Sequence, residues 1–137
     1  MGINMDSELN KDSQFDIDLK FGNDIESRLQ KIMSSKGKVE IKTEVTQWKT
    51  WRNLAVEINY RGKKSGLAVT KADWWLHALY CEEVEDVVFS IFMPTIRFKK
   101  LVKDMVKAGL VKQVMGGDDK QSKLLLIPID QITKFIK

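Results

Sequence analysis

The sequence predicts an α+β fold of mixed α/β character, a central mixed sheet flanked by helices. Short runs rich in β-branched and aromatic residues alternate with polar residues at several places, which is the period of a half-buried strand. Two longer stretches instead place apolar residues at helical spacing. These elements follow one another as helix, several strands, helix, two strands, helix, the order of a layered sandwich around a sheet. At 137 residues, 43% of them hydrophobic, the chain is large enough for one compact domain and too small for two ordinary ones. A loosely held arm over 1–14 and a single domain over 15–137 are therefore expected.

Each element has its own signature. Residues 1–14 are polar and aperiodic, hence the arm. From Asn23, a candidate N-cap, the run DIESRLQKIM sets Ile25, Leu29, Ile32 and Met33 at helical spacing, and Gly37 marks its end. In KVEIKTEVTQWKTWRNLAVEINYR at 38–61, Val39 and Ile41 alternate with Glu40 and Lys42. Further on, Leu54, Val56 and Ile58 alternate with Ala55, Glu57 and Asn59. Two strands result, joined by TQWKTWR as a loop or hairpin connection. Gly62 and Gly66 bracket a basic turn, and Thr70 begins a short helical or turn element.

WWLHALY at 74–80 and DVVFSIFM at 86–93 predict a buried hairpin across the acidic turn CEEVE, with Trp74, Trp75 and Leu76 in the core. Pro94 opens a helix whose apolar side is Ile96, Leu101, Val102, Met105 and Val106, and Gly109 stops it. LVKQVM and SKLLLIPI flank GGDDKQ as a last hairpin, and DQITKFI closes the chain as a short helix. No internal repeat is visible.

Composition narrows the function classes. Lys and Arg number 23 against 19 Asp and Glu, a net charge of +4, which leans toward a polyanionic partner. Cys81 is the single cysteine, so an intramolecular disulfide and a Cys-rich zinc site are both excluded, and a cytoplasmic location is expected. His77 is also alone and is expected to be a packed histidine rather than a metal ligand. The longest apolar runs, such as VVFSIFM, fall short of the roughly 18 residues that a membrane helix needs, so no membrane association is expected.

The pattern with most chemical content is the pair of acid-bearing strands at 38–61. Alternation puts Glu40 and Lys42 on one face of the first strand and Glu57 with Asn59 on one face of the next. Two carboxylates and a lysine meeting on a sheet would be the minimum equipment for holding a divalent cation against a phosphate. Glu26, beside Ile25 and Leu29 on the first helix, is placed to lean over the sheet edge as a further ligand or to orient a bound water. The competing explanation is an ordinary solvated strand face, where alternating Glu and Lys contribute roughly a few tenths of a kcal/mol per cross-strand pair. Spacing alone favours that plainer explanation.

The order of motifs points the other way. VEIKTE, followed by NLAVEINYRGKKSGLAVTKADWW, resembles the active-site region of small phage-encoded nucleases of the PD-(D/E)XK superfamily. There an EVK strand precedes a GN-x-x-x-E strand and a GKPSG-x-x-x-T-x-AD-x-W segment. VMGGDDKQSKLLLIPI resembles a GGD-x-x-x-SK-x-x-x-x-P element near the end of those proteins, and DLKFG with Glu26 resembles their opening, so the similarity spans about residues 15–130.

The resemblance implies a restriction-endonuclease-like core, a hydrolase cutting DNA endonucleolytically in the cytoplasm of a host cell. Mg²⁺ is the implied metal, with Mn²⁺ substituting. Glu40 and Lys42 would be the Glu-x-Lys pair and Glu26 the helix acid. No Pro-Asp dipeptide occurs, so Glu57 is assigned to the missing first acid. Alternatively, Glu40 is the first acid and Glu57-x-Asn59 a degenerate second motif, with Lys42 reaching across. Trp51-Arg52 stands where the family has Thr-Gly, and Lys64 replaces the proline of GKPSG, two departures that bear on loop geometry. A homodimer is plausible, because a double-strand cut needs two active sites. The same fold without catalysis would be a DNA-binding module.

Contacts to DNA are expected from the basic and aromatic connection, Trp48, Lys49, Trp51 and Arg52, and from the next turn, Arg61, Lys63 and Lys64. Cations there neutralise phosphates, and the tryptophan faces can stack on bases or sugars. Ser65, Thr70 and the amides around Gly66 are candidates for a phosphate near the metal, with Lys71 either joining them or capping a helix. Lys99, Lys100, Lys103 and Lys107 read as a solvated helix face that adds to the positive field, and Lys120 and Lys123 as a hairpin turn.

Overall fold

Alternation and helical spacing generate the elements seen in the structure, a computed structural model that describes residues 13–34, 37–45 and 47–136. The chain divides into two compact units, Met1–Gly37 and Lys38–Lys137.

The first unit contains helix α1, Ser13–Ser34. It begins ten residues before the expected N-cap, so Asn23 lies inside it, as does Gly22. Phe21 and Ile25 lie at helical spacing on either side of that glycine, and one glycine costs only about 1 kcal/mol. Most of the expected arm lies outside the described residues, whereas Ser13 and Gln14 are helical.

The second unit runs β1 (Val39–Glu44), α2 (Trp48–Trp51), β2 (Asn53–Tyr60), β3 (Lys63–Lys64), a 3₁₀ turn (Gly66–Ala68), β4 (Trp74–Cys81), β5 (Asp86–Pro94), α3 (Thr95–Lys107), β6 (Lys112–Gly116) and β7 (Ser122–Pro128). A 3₁₀ turn (Ile129–Gln131) and α4 (Ile132–Phe135) close it. The α+β class holds. The strands nevertheless form two sheets in place of one central sheet: a mixed sheet ordered β1-β4-β5 and an antiparallel sheet ordered β3-β2-β7-β6.

This division corrects the expected neighbourhood of β1 and β2. TQWKTWR does not close a hairpin. Its middle forms α2, and Arg52 leaves it in the left-handed region (φ 56°), sending β2 into the other sheet. β1 instead pairs in parallel with β4, from Val39 opposite Trp74 to Glu44 opposite Leu79. The apolar run WWLHALY suits the central position it takes, flanked on both edges and carrying four buried residues. The expected hairpin of β4 with β5 forms, but β5 is exposed over residues 86–90 and only its second half is partly buried.

Both sheets meet on α3. The core joins Leu54 and Val56 of β2, Ile127 of β7, Trp75 and Leu79 of β4, and Phe98, Leu101, Val102 and Met105 of α3. The Trp75 and Phe98 rings stack with centroids 5.1 Å apart. Leu101, Val102 and Met105 are buried as expected, but Phe98 joins them in place of Ile96, which is 79% exposed, and Val106, at 46%. At about 100° per residue, Ile96 lies roughly 200° around the helix from Phe98 and cannot share its face. Gly109 ends α3 as expected: at φ 75° it lets its own N–H reach Val106 O and that of Leu110 reach Met105 O, a Schellman closure.

Candidate functional site

β1 alternates its side chains, and the even-numbered row is Glu40, Lys42, Glu44. Lys42 Nζ lies 3.3 Å from Glu40 Oε1, and both side chains remain open to solvent, 44% and 36% exposed. The structure thus brings this expected pair together. Glu44, the third in the row, is held far more tightly. Its Oε1 accepts a hydrogen bond from the Ala55 N–H of β2 and lies 2.9 Å from His77 Nε2.

His77 is fully buried, and its Nδ1 accepts from the Trp75 indole N–H at 3.3 Å. That donor fixes the roles: Nδ1 must carry the lone pair, so Nε2–H donates to Glu44. The histidine is packed, as expected of a lone one. β3 pairs only with Asn59 and Tyr60, so the edge of β2 is open at Ala55, and Glu44 closes it. The two sheets are therefore tied by one carboxylate. Sequence reasoning passed over Glu44, although VEIKTE places it two residues beyond Lys42 in the same row.

Glu57 stands on β2 at a bulge between Glu57 and Asn59, and its Oε1 accepts from the buried Ser122 hydroxyl of β7 at 2.6 Å. Gly66, at φ 53°, packs against this point so closely that a Cβ there would sit 2.2 Å from Glu57 O. Glu57 is therefore well positioned, but on the opposite sheet from Glu40 and Lys42 and joined to neither by a hydrogen bond or ion pair among the described residues. The expected relation of adjacent strands sharing one face does not exist. Glu26 lies on α1 in the first unit. Among the described residues no three His, Cys, Asp or Glu side chains gather closely enough to hold a metal ion.

The residues expected on DNA divide into engaged and open groups. Trp48 is an anchor, its indole N–H donating to Tyr80 O at 2.8 Å while its ring packs on the core; Trp51 is 70% exposed. Lys49 pairs with Glu83 at 3.3 Å, and that bond raises its pKa above the ordinary lysine value. Arg52 grips Asp130 with two bonds of 2.6 and 2.7 Å, which hold the Asp130 carboxyl below its ordinary range. Arg61 lies over the Tyr60 ring and 3.5 Å from Asp119. Asp119 in turn accepts the Tyr60 hydroxyl at 2.6 Å, lowering its own pKa and raising that of Tyr60.

Lys63, Lys64 and Lys71 are exposed with no ion pair among the described residues. Lys64 continues into a cleft of about 690 Å³ rimmed by Lys99, Lys103 and Lys107 and floored by Ile58 and Leu125. The Ser65 hydroxyl is buried without a partner among the described residues, and Thr70 Oγ1 accepts from the Ala72 N–H at 3.2 Å. Lys120 occupies the β6–β7 turn with φ 55°, and Lys123 lies on β7. No helix among the described residues is long and apolar enough to cross a membrane.

No protein-family profile matches the chain, and neither a curated protein nor a solved structure shows significant similarity to it.

Proposed function

We propose that this protein is a Mg²⁺-dependent DNA endonuclease built on a restriction-endonuclease-like core. The observation that carries the proposal is the solvent-open Glu40–Lys42 pair on one face of an edge strand, 3.3 Å apart. It sits in a chain whose motif order resembles small phage nucleases of the PD-(D/E)XK type. The donors fit the metal in kind: carboxylate oxygens are the hard ligands Mg²⁺ takes, and it commonly uses only one or two of them, keeping several waters.

Glu40 is the carboxylate that would hold the cation, and Glu57 stands apart from it on the other sheet. When bound, the metal supplies Lewis acidity at a phosphoryl oxygen and lowers the pKa of a coordinated water. Lys42 orients the attacking water and offsets charge developing on the phosphoryl group. The Ser122 hydroxyl fixes the rotamer of Glu57. One P–O bond forms to water, one ester P–O bond breaks, and the proton lost by water leaves through solvent while the departing alkoxide is protonated.

A second possibility is a DNA-binding module with the same fold and no catalysis. It is favoured by the lack, among the described residues, of a three-donor cluster. Incubating a labelled duplex with the protein in Mg²⁺ separates the two. The endonuclease yields internal cuts that vanish in Glu40→Ala, whereas a duplex that is bound and left intact rejects it.

A further inference from the structure

α3 begins without a cap. Pro94 precedes it and offers no side-chain hydrogen bond, and the first turn holds no acid. The Thr95 N–H is used by Asp73 O at 2.9 Å, while that of Ile96 has no partner among the described residues. The positive end of the helix dipole is thus left open. Cations crowd it further, with Arg97, Lys99 and Lys100 all within the first six helical positions, where the dipole disfavours positive charge.

A second, independent feature lies at the same place. The Thr95 hydroxyl is buried, its residue only 5% exposed, and it has no hydrogen-bond partner among the described residues. Buried hydroxyls are costly to leave unpaired. Thr95 lines a cavity of about 330 Å³ together with Thr70, Lys71, Asp73, Ile96 and Lys99. Two lysines thus face one carboxylate, and Asp73 Oδ2 is already committed to the Lys38 N–H at 3.1 Å. The balance of charge in the cavity is positive.

We infer that the cavity at the start of α3 binds a phosphate group, with the Thr95 hydroxyl and the Ile96 N–H donating to its oxygens and Lys71 and Lys99 neutralising it. An oxyanion is the ligand that satisfies all four features at once: it accepts from an orphan hydroxyl and an orphan amide, carries charge for two lysines, and complements a helix N-terminus. The phosphate can belong to a nucleic-acid strand or to a free monoester. The first source rests on the endonuclease proposal above, and the cavity itself does not.

The test is amide chemical-shift titration of the intact protein in EDTA, so that no cleavage is involved. Inorganic phosphate, a mononucleotide and a short duplex serve as probes, on wild type, Thr95→Val and Lys99→Gln. Saturable movement of the Ile96 amide is expected, with affinity falling at least about tenfold in Thr95→Val, as for loss of one hydrogen bond to a charged group. Valine is nearly isosteric and removes only the unpaired hydroxyl, so its thermal midpoint should stay at or above wild type. Competition by the duplex assigns the phosphate to nucleic acid, and binding of phosphate and mononucleotide alone assigns it to a free monoester. An unmoved Ile96 amide, or Thr95→Val binding as wild type does, overturns the site. Glu40→Ala should bind phosphate normally even if cleavage is never observed, so the two proposals fail separately.

Discussion

Glu44 shows how one residue can decide between ornament and architecture. It belongs to the same alternating row as Glu40 and Lys42, yet those two face solvent while Glu44 is fastened to both the buried His77 and the open edge of β2. Removing it would leave two donors, the His77 Nε2–H and the Ala55 N–H, without partners. Glu44→Ala should therefore destabilise the protein by about 1–3 kcal/mol in urea unfolding. Glu40→Ala, at an exposed ion pair, should change stability by no more than about 1 kcal/mol. The contrast matters for function, because it makes Glu40 free to be tested in activity without loss of the fold.

At the level of elements, α3 is the part on which both sheets close. Phe98→Ala should cost about 3–5 kcal/mol, since the side chain is fully buried against Trp75, while Ile96→Ala should fall within about 0.5 kcal/mol of wild type. Denaturant midpoints of the two variants check this directly. Existence of the strands was legible from alternation, as were the Gly109 stop and the GGDDKQ hairpin. The middle of the α3 stripe was legible too, but its start was not, because Ile96 and Phe98 are equally apolar and only the angle to the sheets distinguishes them. Pairing was illegible for a different reason. Local periodicity says which residues share a face, but not which strand lies beside it, and TQWKTWR is as compatible with a change of sheet as with a hairpin. The pair Glu40 and Lys42 could be read from spacing within one strand; the placement of Glu57 depended on pairing and could not. Thr95 carried no sequence signal beyond following Pro94.

Across the second unit, charged tethers join segments far apart in sequence. Arg52, leaving α2, holds Asp130 near the end of the chain, and Tyr60 and Arg61 hold Asp119 in the β6–β7 turn. Both aspartates have folded pKa values below the ordinary 3.8. A lowered carboxyl contributes stability that is complete above the unfolded value and is lost as pH falls through the folded one. The thermal midpoint should thus decline as pH falls below about 4, and Asp130→Asn should make that decline shallower. An unchanged acid limb would mean the tether carries no stability.

The same unit leaves Lys63, Lys64, Lys71, Lys103 and Lys107 exposed to an anionic partner, while the Glu40–Lys42 pair stands exposed on β1. The proposed chemistry depends on that pair. Relaxation of supercoiled plasmid, followed in Mg²⁺ and in EDTA for wild type, Glu40→Ala and Lys42→Ala, tests it most directly. Metal-dependent nicking is predicted for wild type, with its loss in Glu40→Ala and a fall of about 10²–10³-fold in Lys42→Ala. Plasmid left supercoiled by folded wild-type protein, or nicked equally by all three proteins, would contradict it.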